Sequence, residues 1–131
     1  MREISVIREM CIEANHFLSN DMEESLNLAA ESETSEVGKY VLHQLQENLK
    51  IAKEEMIPIC QDTGMTVIFM EIGQDVHFTE GNLEEAIEEG IRQGYKQGYL
   101  RKSVVADPFL RENTKDNTPA VIHYTIRKEN R

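Results

Sequence analysis

Apolar side chains at Ile4, Ile7, Cys11, Ala14 and Leu18 step by three and four along the chain, a spacing that gathers them on one face of a first helix. Ser19 and Asp21 can cap a short second helix carrying Leu26, Leu28 and Ala29, and the polar stretch from Ser32 to Ser35 reads as a break. Val37, Val41, Leu45, Leu49 and Ile51 to Ala52 form the stripe of a third helix, with Glu47, Lys50, Lys53 and Glu54 on its solvent side. That helix ends before Pro58, because the residue preceding a proline is pushed out of helical geometry.

The period then changes. Thr66 to Ile72 is rich in β-branched and aromatic residues and too short for a buried helix, so it reads as a strand closed by Gly73. Val76 to Thr79 follow as a short paired strand, joined to it by a turn at Gln74 and Asp75. Asn82 with Glu85 three positions on resembles a capping box opening a helix that bears Leu83, Ala86, Ile87 and Ile91. Gly90, Gly94 and Gly98 fall on one face of that helix, where missing side chains let another backbone approach closely. Residues 101–119 form a long polar loop whose Asn, Asp and Thr side chains can hold an irregular path, and Ala120 to Ile126 reads as a last strand. The fold expected is α+β: an N-terminal helical layer, then a small mixed sheet packed against the glycine-bearing helix.

With 131 residues the chain makes one domain that needs no disulfide or metal to build a core. Fourteen basic against twenty-four acidic residues leave a net charge of -10, which disfavours a nucleic-acid or membrane partner. The two cysteines, Cys11 and Cys60, and the lack of a basic-then-apolar leader or long apolar run predict a cytoplasmic protein with reduced thiols.

Candidate chemistry concentrates in Pro58-Ile59-Cys60-Gln61-Asp62-Thr63-Gly64, where a thiol, an amide and a carboxylate stand together at the mouth of the first strand. Read locally, Cys60 is more often an incidental thiol than a metal ligand, and a single cysteine holds no cluster. Asp62 suits either acid–base work or simple turn formation with Thr63 and Gly64. Gln61 has both a donor and an acceptor with which to read a carboxylate or hydroxyl. Arg101 and Arg111 flank the second polar segment, and guanidinium forks suit small dicarboxylates. Cys11 belongs to the helical core face. His16, His43, His77 and His123 are scattered without ligand-like spacing, and no CxxC pair supports zinc.

Taken together, Pro58 to Gly64 and Asp107-Pro108 through Asn117-Thr118-Pro119-Ala120-Val121-Ile122-His123 resemble the iron-sulfur hydro-lyases of the class I fumarase and L-tartrate dehydratase family, at the N-terminal part of the α-subunit or α region. The likeness covers essentially residues 1–131. Lys115 departs from it, standing where the Asn-Thr-Gly-Asp-Asn form of the second motif has glycine. The resemblance implies a 4Fe-4S cluster with Cys60 as one of three thiolate ligands, Gln61 and Asp62 at the substrate, Asp62 as the acid near the departing hydroxyl, and Arg101 on a substrate carboxylate. The implied reaction is reversible loss of water from a 2-hydroxy dicarboxylate, malate to fumarate first and L-tartrate to oxaloacetate next.

The same resemblance places two further cluster cysteines later in the α region and the carbon-acid chemistry in a β-subunit or β region. The expectation is therefore a truncated or separately produced portion of a larger, oligomeric enzyme, without an intact cluster and inactive by itself. A non-catalytic assembly or regulatory module using the same domain, with the Gly90, Gly94 and Gly98 face packing subunits, is the alternative.

Overall fold

The computed structural model describes residues 2–128. Its elements run α1 (Arg2–His16), α2 (Asn20–Ser32), α3 (Glu36–Glu55), β1 (Val67–Gly73), α4 (Leu83–Gln97) and β2 (Val121–Arg127), an α+β arrangement. Ser35 caps α3 by accepting from the Gly38 N–H, and Met56, at a left-handed φ of 52°, ends it two residues before Pro58. Asn82 caps α4, its side-chain oxygen accepting from the N–H groups of Glu84 at 2.8 Å and Glu85 at 3.2 Å.

The core forms where α4 meets α1. Ile7, Cys11, Ile87, Ile91, Tyr95 and Leu100 cluster there, and Ile68, Met70 and Ile122 press on them from the sheet. Ile87 and Ile91 are completely buried; each contributes about 1.5–3 kcal/mol through apolar burial. The glycine face is what admits α1. A Cβ built at Gly90 would lie 2.7 Å from the Ile7 Cβ and 2.9 Å from the Ile4 carbonyl oxygen. One at Gly94 would lie 2.8 Å from the Cys11 Cβ, and one at Gly98 3.0 Å from Ile12. The contacts advance together along both helices, so α1 and α4 run in the same direction. This face is consumed inside the chain, which removes it as the subunit-packing surface of the module alternative.

β1 and β2 pair in parallel, from Val67 opposite Val121 to Gly73 opposite Arg127. A parallel pair needs a long crossover, and α4 with the polar loop supplies it. Even-numbered β1 residues face the helices, while on the outer face Phe69 stacks on His123 at a centroid distance of 4.9 Å. The strand expected at Val76 to Thr79 is not formed: a turn follows β1, with the Val76 N–H donating to the Gly73 carbonyl, and 76–79 continue as irregular chain. Val76 and Phe78 carry strand-like side chains, but the partner of β1 comes from beyond α4, and His77 therefore lies in a loop.

α2 and α3 form a hairpin beside this core. His16 links it to α1: its buried ring has Nδ1 2.6 Å from the Ile12 carbonyl oxygen and Nε2 3.1 Å from that of Met56. The end of α3, from which the Cys60 segment departs, is thereby held against α1. Among the described residues no helix is long and apolar enough to cross a membrane.

Candidate functional site

Residues 57–66 connect α3 to β1 without regular structure, so other parts of the chain hold them in place. The Ile59 N–H donates to the Asn15 carbonyl at 2.9 Å, and the Asn48 amide donates to the Ile59 carbonyl at 2.9 Å. Cys60, Gln61 and Asp62 follow directly, all exposed. The Asp62 carboxylate accepts from the Gly64 N–H at 3.2 Å, a side-chain-closed turn that the chain leaves at a left-handed φ of +61° at Gly64. Turn formation and a solvent-facing carboxylate thus coexist at Asp62.

The second motif supplies the other wall. Thr63 Oγ1 donates to the Arg101 carbonyl at 3.0 Å, which brings the segment bearing Arg101 beside the turn. Asn117 is fully buried, and its amide spans the two segments. Its oxygen accepts from the Ser103 N–H at 2.7 Å and the Val104 N–H at 3.1 Å, and its Nδ2 donates to the Gly64 carbonyl at 3.1 Å. The orientation of this amide follows from its neighbours, since two donors meet one end and a carbonyl meets the other.

Tyr95, 3% exposed, supports the turn from below. Its hydroxyl is shared between the Thr63 and Gly64 carbonyls, each at 3.2 Å, and accepts from Thr66 Oγ1 at 3.4 Å. Burial raises its pKa above the usual tyrosine value, against the hydrogen bonds from Thr66 and Asn117, so the hydroxyl remains a donor. Burial likewise pushes the Cys11 thiol up. A buried, protonated thiol in the core is a poor ligand.

The polar loop owes its path to its own side chains. Asp107 accepts from the N–H groups of Phe109 and Leu110, both at 2.8 Å, and Asn113 accepts from the Lys115 N–H at 2.6 Å. Asp116 accepts from the Thr118 N–H and hydroxyl, and its other oxygen accepts from Arg92 at 3.2 Å. Burial would raise the Asp116 carboxyl, but the Thr118 and Arg92 hydrogen bonds outweigh it and leave the pKa below the ordinary carboxylate value. Lys115 has φ 69°, so the position where the family form carries glycine keeps a glycine-like backbone here. Arg111, at φ 55°, closes the tip of this loop, its N–H donating to the Asp107 carbonyl.

Donor chemistry sets what the site could hold. Among the described residues no group of three or more His, Cys, Asp or Glu comes together around a metal. Cys60 is exposed and Cys11 buried, so the chain offers one accessible cysteine sulfur, which suits one corner of a cluster and not a whole one. A cleft of about 450 Å³ behind the turn, between α1 and β1, is lined mostly by apolar groups including Met10, Cys11, Met65 and Phe69. It does not suit a dicarboxylate; the polar side chains of Gln61, Asp62 and Arg101 are exposed instead.

Asn117 and Tyr95 carry this geometry, and neither stands out in the sequence as a site residue. Tyr95 continues the four-residue step of Ile87 and Ile91, a signal that marks it as buried but not what its hydroxyl holds. Asn117 is one of several Asn and Asp residues in the loop, and nothing local distinguishes it.

Residues 4–131 match the family model described as Fumarate hydratase (Fumerase). The chain is 37% identical over 118 residues to a putative L(+)-tartrate dehydratase subunit alpha of Methanocaldococcus jannaschii, covering 89% of this chain and 41% of that protein. It is 39% identical over 92 residues to the anaerobic class I fumarate hydratase of Escherichia coli, covering 69% of this chain and 17% of the relative. To the L(+)-tartrate dehydratase subunit alpha of Escherichia coli it is 28% identical over 101 residues, 77% of this chain and 33% of that one. The chain thus spans less than half the length of these relatives. The match along nearly the whole chain, with both polar motifs inside it, makes this protein a member of the fumarate hydratase (Fumerase) family, whose relatives include class I fumarate hydratases and tartrate dehydratase alpha subunits.

Proposed function

We propose that this chain supplies one wall of the active site of an iron-sulfur hydro-lyase that reversibly dehydrates a 2-hydroxy dicarboxylate, with malate to fumarate the first expectation and L-tartrate to oxaloacetate the second. The observation that carries the reading is the junction of the Cys60 turn with the 101–119 loop, where Thr63 holds the Arg101 backbone and Asn117 holds Gly64.

Cys60 is the residue of this chain that would hold a 4Fe-4S cluster, with the remaining thiolates from the rest of the α region; when bound, the cluster supplies a Lewis-acidic iron to a substrate hydroxyl. The tasks of this chain's own residues follow from their chemistry. Arg101 offers a planar fork to one substrate carboxylate, and Gln61 reads a neighbouring oxygen with either end of its amide. Asp62 passes a proton to the departing hydroxyl as the carbon–oxygen bond breaks, so that water leaves instead of hydroxide, and takes it back in hydration. The proton on the adjacent carbon is removed by a group outside this chain, in the β-subunit or β region. The isolated chain is accordingly inactive.

Co-expression with the remaining α region and the β partner tests the reading. Fumarate formation from malate should appear in the assembly and be lost in Cys60→Ala; an assembly in which Cys60→Ala keeps full activity would refute the ligand role.

A further inference from the structure

The hydrogen bonds around the turn close into a ring. Starting at Asp62, the carboxylate accepts from the Gly64 N–H, and the carbonyl of Gly64 accepts from Asn117 Nδ2. Asn117 Oδ1 accepts from Ser103 and Val104, two and three residues beyond Arg101, and the Arg101 carbonyl accepts from Thr63, next to Asp62. The ring thus ties the Cys60 turn to both ends of the 101–119 loop, at Arg101 and at Asn117. Asn117 is the one side chain in the ring that uses both ends, and it is wholly excluded from solvent. A buried amide holds such geometry firmly, because water is not there to replace a broken bond.

We infer that Asn117 is a positioning residue that sets the Asp62 carboxylate relative to the Arg101 segment, acting through the Gly64 backbone, whose carbonyl it holds and whose N–H holds Asp62. This rests on the function proposed above for Asp62 and Arg101. The left-handed φ of 65° at Asn117, a conformation asparagine tolerates better than most residues, turns its side chain inward between the two segments. No other residue type offers a neutral acceptor and donor at this reach; aspartate keeps the acceptor for Ser103 and Val104 and lacks the donor for Gly64.

That asymmetry is the test. In the chain itself, amide hydrogen exchange followed by NMR in Asn117→Asp should accelerate at Gly64 by about tenfold, although its direct partner Asp62 is unchanged, while Ser103 and Val104 keep their protection. Equal acceleration at all three amides would mean general loosening and would overturn the positioning role, as would an unchanged rate at Gly64. If Asn117→Asp does not fold by circular dichroism, the wild-type chain decides: the Asn117 side-chain NH2 protons and the Gly64 amide should lose protection together across mild urea, and loss of protection at Gly64 while the Asn117 NH2 stays protected overturns the inference. In the assembled enzyme, Asn117→Asp should lower kcat by about a hundredfold, as a displaced acid does, with KM changed by less than about threefold. An unchanged kcat beside faster Gly64 exchange overturns the inference. A wild-type assembly with no dehydratase activity counts against the proposed function alone, and the exchange contrast then decides the positioning role by itself.

Discussion

Gly94 and Cys11 meet so closely that a Cβ on the glycine would lie 2.8 Å from the Cβ of the cysteine and 3.0 Å from the Arg8 carbonyl oxygen. The obstruction is backbone and the root of a side chain, neither of which can swing aside. Alanine would gain up to about 1 kcal/mol in helix propensity, but overpacking costs about 1–3 kcal/mol, so the clash wins. Gly94→Ala should lower the urea midpoint without changing the m-value. A higher midpoint would show that α1 and α4 are not packed this way.

Lys115 gives the opposite expectation. It holds a left-handed φ of 69° with an exposed side chain, so Lys115→Gly removes backbone strain and loses little contact. The left-handed region costs a residue with a Cβ about 1–2 kcal/mol, partly offset by the greater freedom of unfolded glycine. The variant should be more stable in urea by about 0.5–1 kcal/mol; a loss would mean that the lysine contributes something beyond its backbone.

The core is sensitive to alkali. The Cys11 thiol and Tyr95 hydroxyl both have pKa values raised in the fold, chiefly by burial. The unfolded chain therefore releases these protons first as pH rises. Their contribution is complete below the unfolded thiol value of about 8.5 and is lost as pH climbs through the raised folded values. Stability measured from neutral pH into the alkaline range should fall, and Cys11→Ala should flatten the first part of that fall. An identical slope in the variant would remove Cys11 as its cause.

Thiol labelling separates the two cysteines. Cys60 is exposed, whereas Cys11 is 7% exposed and protonated by its surroundings. At neutral pH one thiol per chain should react promptly with a small alkylating reagent, and mass spectrometry should find it at Cys60; the second should react only on unfolding. Prompt double labelling would contradict the placement of Cys11 in the core.

Legibility differed between the elements for physical reasons. The helices could be read because their stripes and caps are local: Asn82 caps α4 as its spacing from Glu85 suggests, and the glycine face meets a backbone as the missing side chains imply. Val76 to Thr79 misled because strand propensity reports fitness for a half-buried surface and not the presence of a partner. β1 finds its partner 54 positions further along, in parallel, on the far side of α4.

Cys60, Gln61, Asp62 and Arg101 stand out as chemistry through their residue types and the order of the motifs, which no packing argument is needed to see. Periodicity and motifs alone determined the helices and the two strands that pair, the family resemblance and the position of the candidate turn, since each is written in neighbouring residues. What only the tertiary structure decided is how the turn is held: Asn117 reaches Gly64 across 53 positions, and the Tyr95 hydroxyl meets two carbonyls about thirty residues away. Such bonds depend on where the closed crossover places the loop, and a linear pattern carries no record of that distance.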